Sequence, residues 1–135
     1  MKEVNRAYQK HVYVCTNPRE SPEPNCANVD GIEIFQILKK YVLARRLYST
    51  TLVAEVNNDI PIVEVESAKC LGECNNIGTT VSIYHLDKGF HNFFREVTRE
   101  DLDNIVKIID PNYDKNLLHS IIAEVFKQDK TKSDS

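Results

Sequence analysis

Four cysteines in two pairs are the feature that most constrains this chain, because each pair follows a segment patterned as a β-strand. Ten residues separate Cys15 from Cys26, three separate Cys70 from Cys74, and 43 lie between the two pairs. Cys15 ends the β-branched and aromatic run 11–14 (HVYV), and Cys70 comes shortly after the run 60–65 (IPIVEV). Both runs predict strands. If these strands are parallel neighbours, both cysteine-bearing loops leave the same end of the sheet.

The expected setting of the chain decides how these cysteines are interpreted. No run of 18 apolar residues is present, so we expect no membrane span, and residues 1–6 lead into no apolar stretch typical of a secretory signal. We therefore expect a cytoplasmic protein with reduced thiols, in which four cysteines favour a metal site or catalysis over two disulfides. The net charge of −3 and the pI near 5.8 argue against nucleic-acid binding, which needs a basic surface.

The segment after Cys26 is predicted to form a helix. Apolar side chains recur at i, i+3, i+4 and i+7 from Ile34 to Tyr41, and Asp30 with Glu33 is arranged like a capping box. We expect this helix to run from Asp30 to about residue 48. It would connect the two strands that precede the cysteine pairs, and such a crossover usually joins parallel strands.

The second half of the chain predicts a hairpin followed by two helices. Residues 80–84 alternate like a strand, and residues 90–97 return after a turn at residues 87–89. Thr98 and Asp101 resemble a capping box for an amphipathic helix that Pro111 ends. A further helix carries two adjacent apolar rows, and we expect it to pack on the sheet or across a dimer. The rows are Leu117, Ile121 and Val125, and Leu118, Ile122 and Phe126.

This order predicts an α/β fold with a mixed sheet, flanking helices and an additional C-terminal helix, and it is compatible with a thioredoxin-like layout. We expect a lead-in at residues 1–9, the thioredoxin-like domain at residues 10–110, the additional helix at residues 111–127 and a flexible tail at residues 128–135. Residues 52–56 predict a further strand, as part of an inserted arm.

Spacing alone leaves three interpretations of the cysteines open. A [2Fe–2S] cluster needs four thiolates, and Gly72 and Gly78 would let backbone N–H groups approach its negative charge. Structural zinc usually takes two short knuckles, and only Cys70–Cys74 has that spacing. A redox dithiol would need Cys-x-x-Cys, which the sequence lacks. After the cluster and zinc, the third open interpretation is that the cysteines bind no metal and are small buried apolar residues.

Four parts of the sequence carry a resemblance to a known family. They are residues 11–17 (HVYVCTN), 25–27 (NCA) with 31–34 (GIEI), 70–74 (CLGEC) and 94–102 (FREVTREDL). These parts, which span about residues 10–110, resemble the thioredoxin-like [2Fe–2S] ferredoxins of the Shethna-protein type. The resemblance implies that the four ligands of a [2Fe–2S] cluster are Cys15, Cys26, Cys70 and Cys74.

The resemblance also implies a function. It predicts a soluble ferredoxin that carries one electron between protein redox partners, such as a reductase or an oxidoreductase, forms a homodimer and catalyses no reaction of its own. Four-thiolate ligation predicts a low potential, on the order of −400 mV. Two alternatives stay open, namely a non-redox zinc-binding structural or interaction module and a cluster-based redox sensor that acts through a protein partner.

Overall fold

Four strands form one mixed sheet in the described part of the chain. The computed structural model describes residues 10–16, 30–47, 62–68, 78–86 and 88–133, and of residues 128–133 it describes the backbone. The order of the strands across the sheet is β2-β1-β3-β4. β1 and β2 are parallel, and the two other neighbouring pairs are antiparallel. The strands are β1 (Lys10–Cys15), β2 (Val63–Ala68), β3 (Thr79–His85) and β4 (Phe90–Val97).

Three helices contribute to a buried core on one face of this sheet. α1 (Gly31–Ala44) connects β1 to β2, whereas α2 (Leu102–Ile109) and α3 (Lys115–Ser133) follow β4. Alternate strand residues point into the core, as the period of two requires, and they meet the apolar stripes of the helices. The strand residues of this core include Val12, Val14, Val63, Val65, Val81 and Ile83, and the helix residues include Ile34, Ile37, Leu38, Tyr41, Leu102, Ile105, Val106, Ile109, Leu118 and Phe126.

The start of α1 differs from the predicted capping box. Asp30 has a left-handed backbone with φ of 65°, and its side chain makes no capping hydrogen bond. Its carboxylate instead lies 3.6 Å from the guanidinium of Arg99, which follows β4. The capping-box prediction for Asp30 and Glu33 is therefore wrong, because a capping residue normally needs an extended backbone to reach the first helical N–H groups.

The predicted capping box after β4 is confirmed. The backbone N–H of Thr98 donates to the carboxylate of Asp101 at 2.9 Å, and a short 3₁₀ turn (Arg99–Asp101) leads into α2. The hairpin before it has Gly89 in the left-handed region, at φ of 73°. Glycine adopts that conformation at little cost, which explains the tight connection between β3 and β4.

Two element boundaries differ from the sequence-based prediction. α1 ends at Ala44, before the predicted end near residue 48, because Arg46 turns into the left-handed region and the N–H of Leu47 bonds back to the carbonyl of Val42 at 3.0 Å. The strand predicted at residues 60–65 lies at Val63–Ala68, in register with β1. The predicted strand at residues 52–56 and the lead-in at residues 1–9 lie outside the described residues.

The additional C-terminal helix packs mainly against α1. The sequence predicted packing on the sheet or across a dimer; the sheet is not its main contact, and packing across a dimer stays a prediction. Leu118, Ile121, Val125 and Phe126 are buried, so both predicted apolar rows contribute to the core. α3 extends to Ser133, past the predicted end at residue 127. None of the helices in the described part of the chain is long and apolar enough to cross a membrane.

Candidate metal centre

Cys15 is the last residue of β1 and is buried. It lies opposite Ala68, the last residue of the parallel strand β2. Its backbone carbonyl accepts a hydrogen bond of 2.7 Å from the hydroxyl of Thr79, the first residue of β3. The next backbone N–H, that of Thr16, donates to the carbonyl of Ala68 at 2.9 Å. These bonds on both sides fix the position of Cys15 in the sheet.

Cys15 lies at one end of the sheet, and each of the four strands has one of its termini there. We call this the Cys15 end. β1 and β2 finish there, β3 begins there at Thr79, and β4 finishes there at Val97, which pairs with Thr79. The described residues on either side of the other three cysteines therefore lie at this end. Thr16 precedes residues 17–29, which contain Cys26. Ala68 precedes and Gly78 follows residues 69–77, which contain Cys70 and Cys74. Asp30, which follows residues 17–29, is held near this end by Arg99.

Gly78 is at this end because another residue would not fit. A Cβ atom on Gly78 would lie 2.5 Å from the carbonyl carbon of Glu96 and 2.5 Å from the carbonyl oxygen of Val97, well inside van der Waals contact. The β4 backbone, where Glu96 is left-handed at a register shift, thus explains this glycine. The suggested role of Gly78 in approaching a cluster is not needed to account for it, and Gly72 lies outside the described residues.

Of the four predicted ligands, the structure places Cys15 alone; Cys26, Cys70 and Cys74 lie outside the described residues. Among the residues that are described, no group of three or more histidine, cysteine, aspartate or glutamate side chains is arranged to hold a metal ion. The position of Cys15 is compatible with a ligand. It is a buried thiol at the strand end, next to the described residues that precede or follow the other three cysteines in the sequence.

Comparisons with known proteins bear on the fold of this site. No protein-family model and no curated protein matches the chain. Among solved structures, the chain is similar to the wild-type thioredoxin-like [2Fe-2S] ferredoxin from Aquifex aeolicus, with a TM-score of 0.51, 25% identity, and coverage of 75% of this chain and 84% of that one. The fold is thioredoxin-like. The α/β prediction with a mixed sheet is thereby confirmed.

Two further structures of the same Aquifex aeolicus ferredoxin match in the same way. A cysteine-to-serine variant has a TM-score of 0.50 and 24% identity, over 73% of this chain and 83% of that one. A third structure has a TM-score of 0.50 and 24% identity, over 75% of this chain and 79% of that one. At this identity the two matches add to the agreement in fold.

One buried polar network and one aromatic surface were not predicted from the sequence. Asp110, directly after α2, is buried and accepts hydrogen bonds from Tyr41 and Arg45 at the C-terminal end of α1. Its only sequence signal is an aspartate at a helix end. The surface contains Tyr13 and Tyr84 on the sheet face away from the helices, and alternation of aromatic residues along the strands was the signal that could have indicated it.

Proposed function

We propose that this protein is a [2Fe–2S] electron carrier, with Cys15, Cys26, Cys70 and Cys74 as the cluster ligands and no catalytic activity of its own. The observation that carries the proposal is the position of Cys15, a buried thiol at the end of β1 in the fold of a [2Fe–2S] ferredoxin. The resemblance of the cysteine-bearing segments to that family supports the same ligand set.

Chain connectivity supports the convergence of the four thiols. Cys70 follows Ala68 by two residues, and Cys74 precedes Gly78 by four. Successive Cα atoms are about 3.8 Å apart, so these tethers reach at most about 8 Å and 15 Å from the Cys15 end. Cys26 is tethered to Asp30 by four residues as well. All three cysteines are therefore within reach of one site beside Cys15.

The protein's part in electron transfer would be to hold the ligands and to exclude water. When bound, a [2Fe–2S] cluster supplies the chemistry, which is the uptake and release of one electron. The hydrogen bond from Thr79 to the carbonyl of Cys15 fixes one ligand on rigid backbone, which keeps its sulfur in place as the charge changes. Four thiolates favour a potential on the order of −400 mV.

The test is metal analysis of protein purified without oxygen, with iron, sulfide and zinc measured on the sample whose absorption spectrum is recorded. We expect about two irons and two sulfides for each chain, and visible bands that bleach with dithionite and recover in air. The control is the Cys15→Ser variant, which should hold less iron. A colourless protein with one zinc for each chain would contradict the proposal and favour the structural zinc module.

The proposal includes protein redox partners and a homodimer in the cytoplasm. The support for the dimer and for the location is the resemblance to the ferredoxin family and the expectation drawn from the sequence. Sedimentation velocity of the cluster-loaded protein measures the oligomeric state, and a monomer at micromolar concentration would remove the dimer from the proposal. If the cluster responds to oxygen but supports no electron transfer to any reductase, the redox-sensor alternative would be favoured.

A further inference from the structure

The face of the sheet away from the helices carries an aromatic corner that the proposed function does not use. Tyr13 and Tyr84 both lie on this face, on neighbouring strands β1 and β3. Their rings meet edge to face, with centroids 5.8 Å apart and planes at 87°. The ring of His11 stacks on Tyr13 at a centroid distance of 4.2 Å. The ring of His91 covers one face of Tyr84 in the same way, at a centroid distance of 4.7 Å. The two tyrosine rings therefore form perpendicular walls, each with one face covered by a histidine.

These walls border a cavity of about 480 Å³ that is open to solvent. It is lined by the two tyrosine rings and the ring of His11, together with Ala68 and Leu86. Tyr84 is 41% exposed and Leu86 is 57% exposed, so a group from outside can reach the walls. Ala68 lies opposite Cys15 at the end of β2. The cavity therefore begins at the Cys15 end of the sheet and extends along its outer face.

A carboxylate stands beside this cavity. Glu66 lies opposite Tyr13 in the register of β1 and β2, which puts both side chains on the same face. Its carboxylate is 3.4 Å from the Nε2 atom of His11, one of the lining residues, and its side chain is 48% exposed. His11 can pair with it as a cation only when the imidazole is protonated. The cavity thus combines aromatic walls with a negative charge.

We propose that this cavity binds the guanidinium group of an arginine side chain on the protein that exchanges electrons with this chain. Cations are attracted to the faces of tyrosine rings, and a planar guanidinium can stack on a ring while pairing with a carboxylate. A buried arginine is also a frequent anchor of protein–protein interfaces. The inference rests on the proposed function, because a partner anchored here would lie next to the strand end that holds Cys15.

The test is a titration of the full-length, cluster-loaded protein with N-acetyl-arginine methylamide. Binding is followed by NMR, from the ring signals of Tyr84 and the methyl signals of Leu86. The matched probe is N-acetyl-citrulline methylamide, which has nearly the same shape and no charge. We expect saturable shifts with the arginine probe, with a dissociation constant in the millimolar range, and binding of the citrulline probe at least about three-fold weaker.

Variants with matched controls locate the site. Glu66→Gln and Tyr84→Leu should each weaken binding of the arginine probe at least about three-fold. Glu124→Gln, which changes a carboxylate on α3, and Phe90→Leu, which changes an exposed aromatic residue of the same hairpin outside the cavity, should leave it unchanged. Equal binding of the two probes, or an unchanged constant in Glu66→Gln, would overturn the proposal.

Two further measurements separate this inference from the proposed function and from a different occupant. Iron content and the visible spectrum are recorded for each sample. Arginine binding by a colourless, zinc-loaded protein would support the cavity as a cation site while contradicting the electron carrier, whereas an intact cluster without arginine binding would overturn the cavity alone. Sedimentation of Tyr84→Leu tests for a second copy of the chain on this face, and conversion of a dimer to a monomer by this variant would overturn the proposal.

Discussion

Asp110 is the residue that connects α1 most directly to the segment between α2 and α3. Its buried carboxylate accepts hydrogen bonds from the hydroxyl of Tyr41 at 2.6 Å, from Nε of Arg45 at 3.0 Å and from the N–H of Asn112 at 2.9 Å. Burial alone would raise the pKa of Asp110, but these donors outweigh burial and hold it below its usual value. The carboxylate therefore stays ionised at neutral pH.

We expect Asp110→Asn to lower the free energy of unfolding by about 2–3 kcal/mol, because an amide repels one of the donors and leaves the Arg45 cation without a charged partner. Denaturant unfolding measures the loss. The matched control is Asp103→Asn, whose partly exposed carboxylate accepts from the hydroxyl of Tyr113 and, at 2.9 Å, from His119. It should cost less than about 1 kcal/mol. Equal losses in the two variants would show that burial of the Asp110 network adds nothing.

The same network predicts a loss of stability at high pH. Burial, followed by the hydrogen bond to Asp110, raises the pKa of Tyr41 to about 12, whereas the value in an unfolded chain is about 10. The stability linked to this shift is present below about pH 10 and is lost as the pH rises towards about 12. Tyr41→Phe should therefore be less stable at neutral pH and should lose less between about pH 10 and 12. Parallel stability curves for the two proteins would contradict this assignment.

The four cysteines should differ in how well the cluster tolerates their replacement. Cys15 lies on ordered strand backbone, and Cys70 and Cys74 share a short glycine-containing segment, whereas Cys26 follows three prolines, which cannot complete a β-ladder. From these prolines we expect fewer backbone hydrogen bonds before Cys26 than before the other ligands, which would let this segment bring a substitute oxygen to an open iron site. We expect Cys26→Ser to keep a shifted cluster spectrum, and Cys70→Ser and Cys74→Ser to lose most of it. Iron content for all four serine variants tests this, and equal losses would contradict it.

The role of a single residue could be predicted from the sequence where it follows from the local pattern of residues. It could not be predicted where it depends on contacts between distant parts of the chain. Cys15 at the end of a strand was predictable, because the β-branched and aromatic run before it has one interpretation. Asp110 was not, because an aspartate before a proline reads as a helix end until Tyr41 and Arg45 are brought to it from far along the chain. The capping role of Asp30 failed because its backbone turned left-handed.

At the scale of elements, α3 is expected to be part of the stable core. Leu118 and Phe126 are buried in contact with the rest of the core, and the N–H of Asp114, just before the helix, donates to the hydroxyl of Tyr41 at 3.0 Å. Truncation before Pro111 removes several buried side chains and should cost at least about 4 kcal/mol of unfolding free energy. Because one kcal/mol corresponds to at least about 2 °C in domains of this size, the melting temperature should fall by at least about 8 °C. An unchanged melting temperature and oligomeric state would show that α3 contributes nothing to the core.

A point variant keeps this prediction testable if the truncated chain does not fold. Leu118→Ala removes a fully buried side chain and should cost about 2–4 kcal/mol. The control is Leu117→Ala on the neighbouring row, which is partly buried and should cost less. Denaturant unfolding of both variants measures the difference. A larger loss at Leu117 would mean that the helix is rotated relative to the packing described above.

Elements were predicted better than their partners. The strands, the hairpin and the stripes of α1 and α2 follow from periodicities that a single segment displays, such as the apolar row from Leu102 to Ile109. α3 packs mainly on α1. This depends on which apolar surface the other elements leave uncovered, and the sequence of a single segment does not contain that information. The shift of the second strand to Val63–Ala68 has the same cause, since its pairing with β1 sets its ends.

At the scale of the whole molecule, the core and the Cys15 end are distinct parts of the structure. The core lies between the sheet and the three helices and is built mainly from apolar side chains, such as Val14, Ile83 and Leu38. Cys15 lies at the strand ends, and the strand period places its side chain on the face away from this core. A chain of this length buries enough apolar surface to fold without a metal, unlike small zinc domains that unfold when the metal is removed.

We therefore expect the protein stripped of iron by a chelator, under reducing conditions, to keep its fold. Its far-UV circular dichroism should stay close to that of the loaded protein, and unfolding should remain a single cooperative transition at a lower midpoint, because a ligand that binds only the native state adds stability by mass action. Slow hydrogen exchange should persist for the amides of β1 and α1. Loss of the circular dichroism signal, or exchange of β1 at the rate of an unfolded chain, would show that the cluster, and not the apolar core, holds the sheet together.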